Sequence, residues 1–432
     1  MGVAWNADRE TFLEEAEWLD FAKLRLGIGR SGRAPSGNAI YMGSMAASDS
    51  YMTMPSIYPS SIQLDGLKWE NSTEYNIGFD LAFFKNKLKF TFDYYERYSS
   101  DLLQKDVGIP ATTGFSSVAY YNSGKAENRG FEFRADVTLF QDKDWTVTGY
   151  MNMARNRNKI TDLPINMSYD TGIAEGDANM TNGTYAFRIE EGAPIGSFYG
   201  FRYKGVYQDK NATYARDERG NVMNDMNGNP IIMRNGTYTA HPGDAIYEDI
   251  NHDGVINKYD IVYLGNSQPT LTGGAGFMVR YKQISVNAFF HGRFGQSIVN
   301  ATRMNNESMY GKKNQSTAVM RRWQKEGDQT DIPRALYNNG LNYLGSDRFV
   351  EDASFLRLKT LTVNYRFSRK VCQRFGLNNV SVFATGYNLF TWTSYKGQDP
   401  EVSLPAKATE VAKDEATTPV SKRYAFGLNI TF

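Results

Sequence analysis

At 432 residues, of which 41% are hydrophobic, 14% aromatic and 22% charged, the chain holds one large domain or two to three ordinary ones. Lys and Arg number 48 against 47 Asp and Glu, and this net charge of +1 gives no electrostatic reason to expect nucleic acid. The single cysteine, Cys372, excludes an internal disulfide framework and cysteine-based zinc sites, and no run of about 18 apolar residues offers a membrane-spanning helix.

Taken in order, the chain opens on Met1–Trp5, which has neither the charged nor the apolar region of a secretory signal. Residues 6–20 read as a polar connector with one helical turn. Leu24, Leu26 and Ile28 then alternate with Arg25, Gly27 and Gly29, the period-2 pattern of a strand with two unlike faces. A stretch rich in Ser, Gly and Met runs to about residue 70. Tyr75, Ile77, Phe79, Leu81 and Phe83 next alternate with Asn76, Gly78, Asp80 and Ala82. A tight turn at Lys85–Lys87 leads into Leu88, Phe90, Phe92 and Tyr94, which makes a hairpin.

The unit recurs. Phe131–Leu139 and Trp145–Met153 flank a turn at Gln141–Asp144, and Gly276–Tyr281 and Ile284–Phe290 flank another. Leu361–Phe367 lead through a charged turn to Val380–Tyr387, and Tyr424–Phe432 close the chain. In this last strand Tyr424, Phe426, Leu428, Ile430 and Phe432 share one face, and Ala425, Gly427, Asn429 and Thr431 the other. Short turns alternate with long polar loops around 30–60, 105–125, 158–270, 296–350 and 395–420. A soluble sandwich rarely keeps all its long loops at one end, whereas an outer-membrane barrel does. About ten spanning strands result if Gly196–Tyr207 stays within the large loop region 158–270.

Five stretches carry a family likeness. They are Leu67-Lys-Trp-Glu70 with Tyr75–Phe79; Asp93-Tyr-Tyr95 with Asp101-Leu-Leu103; Asn122–Glu132; Glu191–Gly200; and Gly386–Glu401, which reads GYNLFTWTSYKGQDPE. On these the chain resembles the C-terminal barrel portion of SusC/RagA-type TonB-dependent outer-membrane transporters of Bacteroidota. The resemblance implies an all-β fold, a partial antiparallel transmembrane β-barrel with long extracellular loops. Residues 1–432 would be the C-terminal part, without plug domain and N-terminal strands, and 158–270 a large extracellular region. It implies import of glycan oligosaccharides or peptides across the outer membrane, energised by TonB, with a SusD-like surface lipoprotein as partner and outer-membrane lipid around the wall. Phe432 would be the signal read by the barrel-assembly machinery. The alternatives are a secreted, calcium-stabilised carbohydrate-binding β-module and a siderophore or cobalamin receptor.

One motif has ligand spacing. With Asp249 as position 1, oxygen donors fall at 3 (Asn251), 5 (Asp253), 9 (Asn257) and 12 (Asp260). Gly254 stands where an EF-hand loop turns, and Val255 at 7 would give its carbonyl to a structural Ca2+. Asp in place of Glu at position 12 and the lack of flanking helices depart from that pattern, and an Asx-turn loop without metal is the plain alternative. His241, His252 and His291 form no ligand pattern, and no nucleophile or acid–base constellation accompanies the loop, so the chain is read as a non-enzyme. Substrate-contact candidates are loop aromatics beside amide and charged groups: Tyr120, Tyr121, Phe198, Tyr199 and Tyr310, with Tyr41, Tyr51, Tyr58, Phe115 and Tyr343 behind them.

Overall fold

The computed structural model describes residues 1–37, 39–51, 54–163, 169–171, 183–401 and 411–432. The chain divides into two compact units. The first comprises Met1–Thr138, Tyr150–Ser168 and Glu190–Pro194; the second comprises Leu139–Gly149, Tyr169–Ile189 and Ile195–Phe432.

Eleven strands build the wall. The first unit carries β1 (Gly2–Asn6), β2 (Leu19–Arg33), β3 (Glu70–Phe83), β4 (Leu88–Ser100), and most of β5 (Lys125–Gln141) and β6 (Trp145–Asp162). The second carries β7 (Leu271–Tyr281), β8 (Ile284–Phe294), β9 (Phe355–Arg366), β10 (Asn379–Thr393) and β11 (Arg423–Thr431). Within each unit, neighbours in sequence are neighbours in the sheet. Periodicity foresaw ten of these; β1, where Met1–Trp5 resembles part of a family strand, pairs Val3 with Leu26 and Trp5 with Leu24. The connector after it holds the expected single turn, a 3-10 helix at Ala7–Arg9. The turn between β3 and β4 is tight because Phe84, Lys85 and Asn86 all adopt positive φ. The charged turn after β9 contains a short helix, Arg369–Arg374, which buries Cys372.

Register sorts the side chains. Leu26 faces Ile77, which faces Tyr94, which faces Phe131, so apolar residues form continuous rows on one phase. That phase is open to the surroundings: Ile77, Phe79 and Phe277 are exposed, and Phe426 and Phe432 are 82% and 85% exposed. An apolar face without protein cover is what a lipid-facing wall presents. The opposite phase is polar. Arg25 donates from Nε to Asp80 at 2.8 Å and from Nη1 to Asp93 at 2.8 Å, bridging β2, β3 and β4. This bridge passes over Gly78, where a Cβ would lie 2.5 Å from Asp93 Oδ1 and 2.7 Å from Arg25 Cζ.

The segments read as polar loops are not bare loops. In the second unit, short strands such as Ala186–Ile189, Ser197–Gly200, Val262–Asn266 and Ser297–Val299 enclose hydrophobic clusters of their own. One gathers Phe201, Ala215, Tyr247, Ile256 and Leu344; another gathers Tyr185, Phe198, Val299, Met304 and Phe349. This loop-end core draws on 183–267 and on 296–350 together. Gly196–Tyr207 contributes two four-residue strands, Ser197–Gly200 and Tyr203–Val206, each far below the ~9–11 residues a spanning strand needs.

Candidate functional site

The acidic loop is built by its own amides. Gly254 N donates to Asp249 Oδ2 at 2.8 Å, Val255 N to Asp253 Oδ1 at 2.7 Å, and Asn251 Nδ2 to Asp253 Oδ2 at 2.9 Å. Val255 O accepts from Asn257 Nδ2 at 3.1 Å. Asp260 is fully buried and both its oxygens are used: Oδ1 accepts from Ile250 N and Oδ2 from Asn257 N, each at 2.8 Å. Asn257 and Asp260 thereby form a reciprocal cap on the turn Lys258–Asp260. Burial pushes the Asp260 carboxyl above its ordinary value, the two amides pull it back, and Asp249 and Asp253 add to the rise. The positions of the sequence motif are thus close together and held by hydrogen bonds within the loop. Among the described residues no cluster of three or more Asp, Glu, His or Cys is arranged to hold a metal.

Gly254 has a second role that the motif did not reveal. Its φ is +77°, and a Cβ there would lie 3.0 Å from Ala215 Cβ. Ala215 belongs to an eight-residue repeat, 214–221, 222–229 and 230–237, with Asp-x-x-Gly-Asn at 217–221 and 225–229. Three equivalent residues close a ring: Met223 N donates to Ala215 O, Ile231 N to Met223 O, and Ala215 N to Ile231 O, at 2.9, 2.8 and 2.8 Å. The acidic loop docks on this ring, with Arg234 N donating to Gly254 O and Ile256 N to Arg234 O.

The aromatic candidates separate. Phe198 is fully buried and Tyr199 nearly so, both within the loop-end core, where a strand interior leaves no surface for a ligand. Phe198 and Tyr199, expected as substrate contacts, are packing residues instead. Tyr310 and Tyr343 pack edge to face at 5.6 Å; burial first, and then Tyr310, push the Tyr343 hydroxyl up to about 12. Tyr120 and Tyr121 lie on a hairpin of Leu103–Gly108 with Ser117–Asn122, where Lys105 Nζ sits over the Tyr120 ring at 5.5 Å and Tyr121 is exposed. Tyr41 and Tyr58 are also exposed, Phe115 is partly covered, and the Tyr51 side chain lies outside the described residues.

Two ionic clusters were not foreseen. Asp244, fully buried, accepts from Arg334 Nε at 2.7 Å, Tyr238 Oη at 2.9 Å and His241 N at 2.9 Å; burial and the Asp244 charge push Tyr238 up to about 12. On β9, Arg357 donates to Glu401 at 2.7 Å and to Asp399, and Lys359 donates to Glu401 at 2.8 Å. The Asp399-Pro-Glu401 end of the longest family-like stretch is therefore a strap tied to the polar phase of the wall.

The family model described as TonB dependent receptor-like, beta-barrel, matches residues 2–389. TonB-dependent receptor P3 of Formosa agariphila is 30% identical over the whole of this chain, which covers 41% of that protein. TonB-dependent receptor SusC of Bacteroides thetaiotaomicron is 28% identical, again over the whole chain and 40% of that protein. Among solved structures, that of the RagAB peptide transporter superposes with a TM-score of 0.71 at 24% identity, covering all of this chain and 43% of that one. The chain thus spans about two-fifths of the length of the relatives it matches.

Proposed function

The chain belongs to the TonB-dependent receptor-like β-barrel family, and from that premise we propose that it forms wall and outer loops of an outer-membrane nutrient importer. The cargo class is glycan oligosaccharide or peptide, TonB supplies the energy, and a SusD-like surface lipoprotein is the partner at the loop end. The chain's part is to bind and pass cargo, with no bond made or broken.

The observation that carries this reading is the sorting of the wall into an uncovered apolar phase and a charged polar phase bridged by Arg25. A soluble sandwich would bury the apolar phase and gain ~25 cal/mol per Å2 from doing so. The secreted calcium-stabilised module therefore loses its ground, and the GYNLF to DPE stretch favours the SusC-like group over siderophore or cobalamin receptors.

Deletion at the native locus tests the proposal. Expected are recovery of the protein in the outer-membrane fraction, co-purification of a SusD-like lipoprotein, and loss of growth on a particular glycan or on peptides. Normal growth of the deletion strain on every glycan and peptide tried, with wild-type protein found in the soluble fraction, would overturn it. On the same reading Phe432→Ala lowers the assembled fraction.

A further inference from the structure

On the outward phase of the first unit, the apolar rows stop together toward the loop end. Ile77, Tyr94 and Phe131 form the last apolar row, Tyr75, Glu96 and Arg129 the next, and Thr73, Tyr98 and Glu127 the one after. Tyr75, Tyr94 and Tyr98 are exposed, and Tyr75 packs edge to face on Tyr98 at 6.2 Å. Phenols at such a border mark the rim of the hydrocarbon layer. The carboxylates of these rows are already engaged. Tyr94 Oη and Tyr98 Oη each donate to Glu96 at 2.8 Å, and Arg129 pairs with Glu127 and, at 3.6 Å, with Glu96.

β6, the neighbour of β5, breaks the pattern. Beyond Met151 and Met153 every second residue is a cation: Arg155, Arg157 and Lys159. Asn156 fixes their phase. Tyr95 Oη donates to Asn156 Oδ1 at 3.1 Å, and Asn156 Nδ2 donates to Asn128 Oδ1 at 3.4 Å. Tyr95 faces Gly130 and Asn128 faces Arg97, all on the polar phase opposite Tyr94 and Phe131. Alternation therefore turns Arg155, Arg157 and Lys159 outward, on the face that Met151 and Met153 share. Arg157 and Lys159 are exposed and Arg155 is half-buried. Among the described residues none of the three has a hydrogen bond or an ion pair from its side chain. Consecutive members stand ~7 Å apart along the strand and repel one another.

We propose that Arg155, Arg157 and Lys159 form an outward-facing site for the phosphate of a phosphorylated lipid in the outer leaflet. A guanidinium fork matches two phosphate oxygens, and an ammonium adds a point charge beside it. Bound phosphate relieves the repulsion within the row. Continuity selects a lipid as the source of that phosphate. The cations share one face with the apolar run below them, so a molecule apolar at one end and anionic at the other covers both. Free phosphate matches only the upper part and is held against salt screening by charge alone. The inference rests on the lipid-facing reading of the wall and adds a specific ligand to it.

The test uses protein expressed from the native locus and purified in detergent from the outer-membrane fraction. One variant combines Arg155→Gln, Arg157→Gln and Lys159→Gln. A control with the same change of charge combines Lys210→Gln, Arg219→Gln and Lys312→Gln, all exposed in the loops. Native mass spectrometry reads the affinity for monophosphoryl lipid A and for the same lipid with its phosphate removed. Wild type and control are expected to prefer the phosphorylated lipid roughly tenfold, and the triple variant to bind both lipids alike. Inorganic phosphate at the lipid's concentration is expected to displace nothing. Equal preference in wild type and triple variant, or no preference in wild type, would overturn the site. The second outcome needs no variant, and the single Arg157→Gln stands in if the triple variant does not assemble. Displacement by inorganic phosphate would overturn the lipid source. Wild-type protein found only in the soluble fraction would remove the wall reading, and this inference with it, before any lipid is added.

Discussion

Gly78 and Gly29 occupy the same phase of adjacent strands, and one substitution has opposite meaning at the two. At Gly78 a side chain would be driven into Asp93 Oδ1 and Arg25 Cζ. Gly78→Val is expected to cost ~1–3 kcal/mol, the usual range for overpacking, because the three-strand bridge of Arg25 must open. At Gly29 a Cβ would meet nothing within 4 Å, and the same residue is expected to leave the melting temperature unchanged within a degree or two; thermal unfolding of both variants in detergent checks the pair. Arg334 gives a second residue-scale prediction. Arg334→Leu leaves Asp244 buried without its cation, and loss of ~3 kcal/mol is expected in chemical denaturation. None of this was legible from one sequence, since alternation says which face a residue takes but not which atoms crowd it. The aromatic candidates failed for the same reason: Phe198 and Tyr199 sit in a stretch rich in Gly and Tyr that reads as exposed loop, and tertiary contacts with Val299, Phe201 and Leu344 made it core.

The Asp-x-x-Gly-Asn turns respond to acid through their own carboxylates. Asn221, through its side chain first and its amide second, holds the Asp217 carboxyl below its ordinary value; Asn229, through its amide first, does the same for Asp225. A depressed carboxyl contributes stability that is present above the unfolded value of about 3.9 and lost as pH falls through the lower folded value. Amide exchange at Asn221 and Asn229 is therefore expected to quicken relative to Ala215 as pH drops below that value; equal response of all three would refute it. The neighbouring loop Asp249–Asp260 was legible in position and donor spacing, yet the spacing could not say whether its carboxylates face a cation or its own amides. The amide bonds to Asp249 and Asp253 leave carboxylate lone pairs free, so a melting temperature lowered by chelator would mark calcium in the loop and an unchanged one an Asx-turn loop without metal. With chelator present, Asp249→Ala is expected to cost ~1 kcal/mol from the lost Gly254 amide bond alone. A chelator effect that vanishes in Asp249→Ala would establish calcium instead.

For the molecule as a whole, the two faces of the wall were readable because lipid imposes its demand on every strand, so the period-2 signal repeats along the chain. β1 showed only as a resemblance because five residues give too few alternations, and the loop-end core escaped because its short strands and turns carry no period at all. The same two-faced rule yields a prediction that separates membrane wall from soluble sheet. On β11, Leu428 belongs to the apolar phase opposite Val382, and Asn429 to the polar phase opposite Ser381. Leu428 is 57% exposed, and in a soluble sheet an exposed leucine tolerates arginine at little cost. Facing hydrocarbon, the same arginine costs ~2–4 kcal/mol near the bilayer midplane, while arginine on the lumenal phase costs little. Leu428→Arg is therefore expected to reduce the fraction assembled in the outer membrane several-fold, with Asn429→Arg close to wild type. Heat-modifiable migration of membrane fractions reads both, and equal assembly of the two variants would mean that the uncovered apolar phase does not meet lipid.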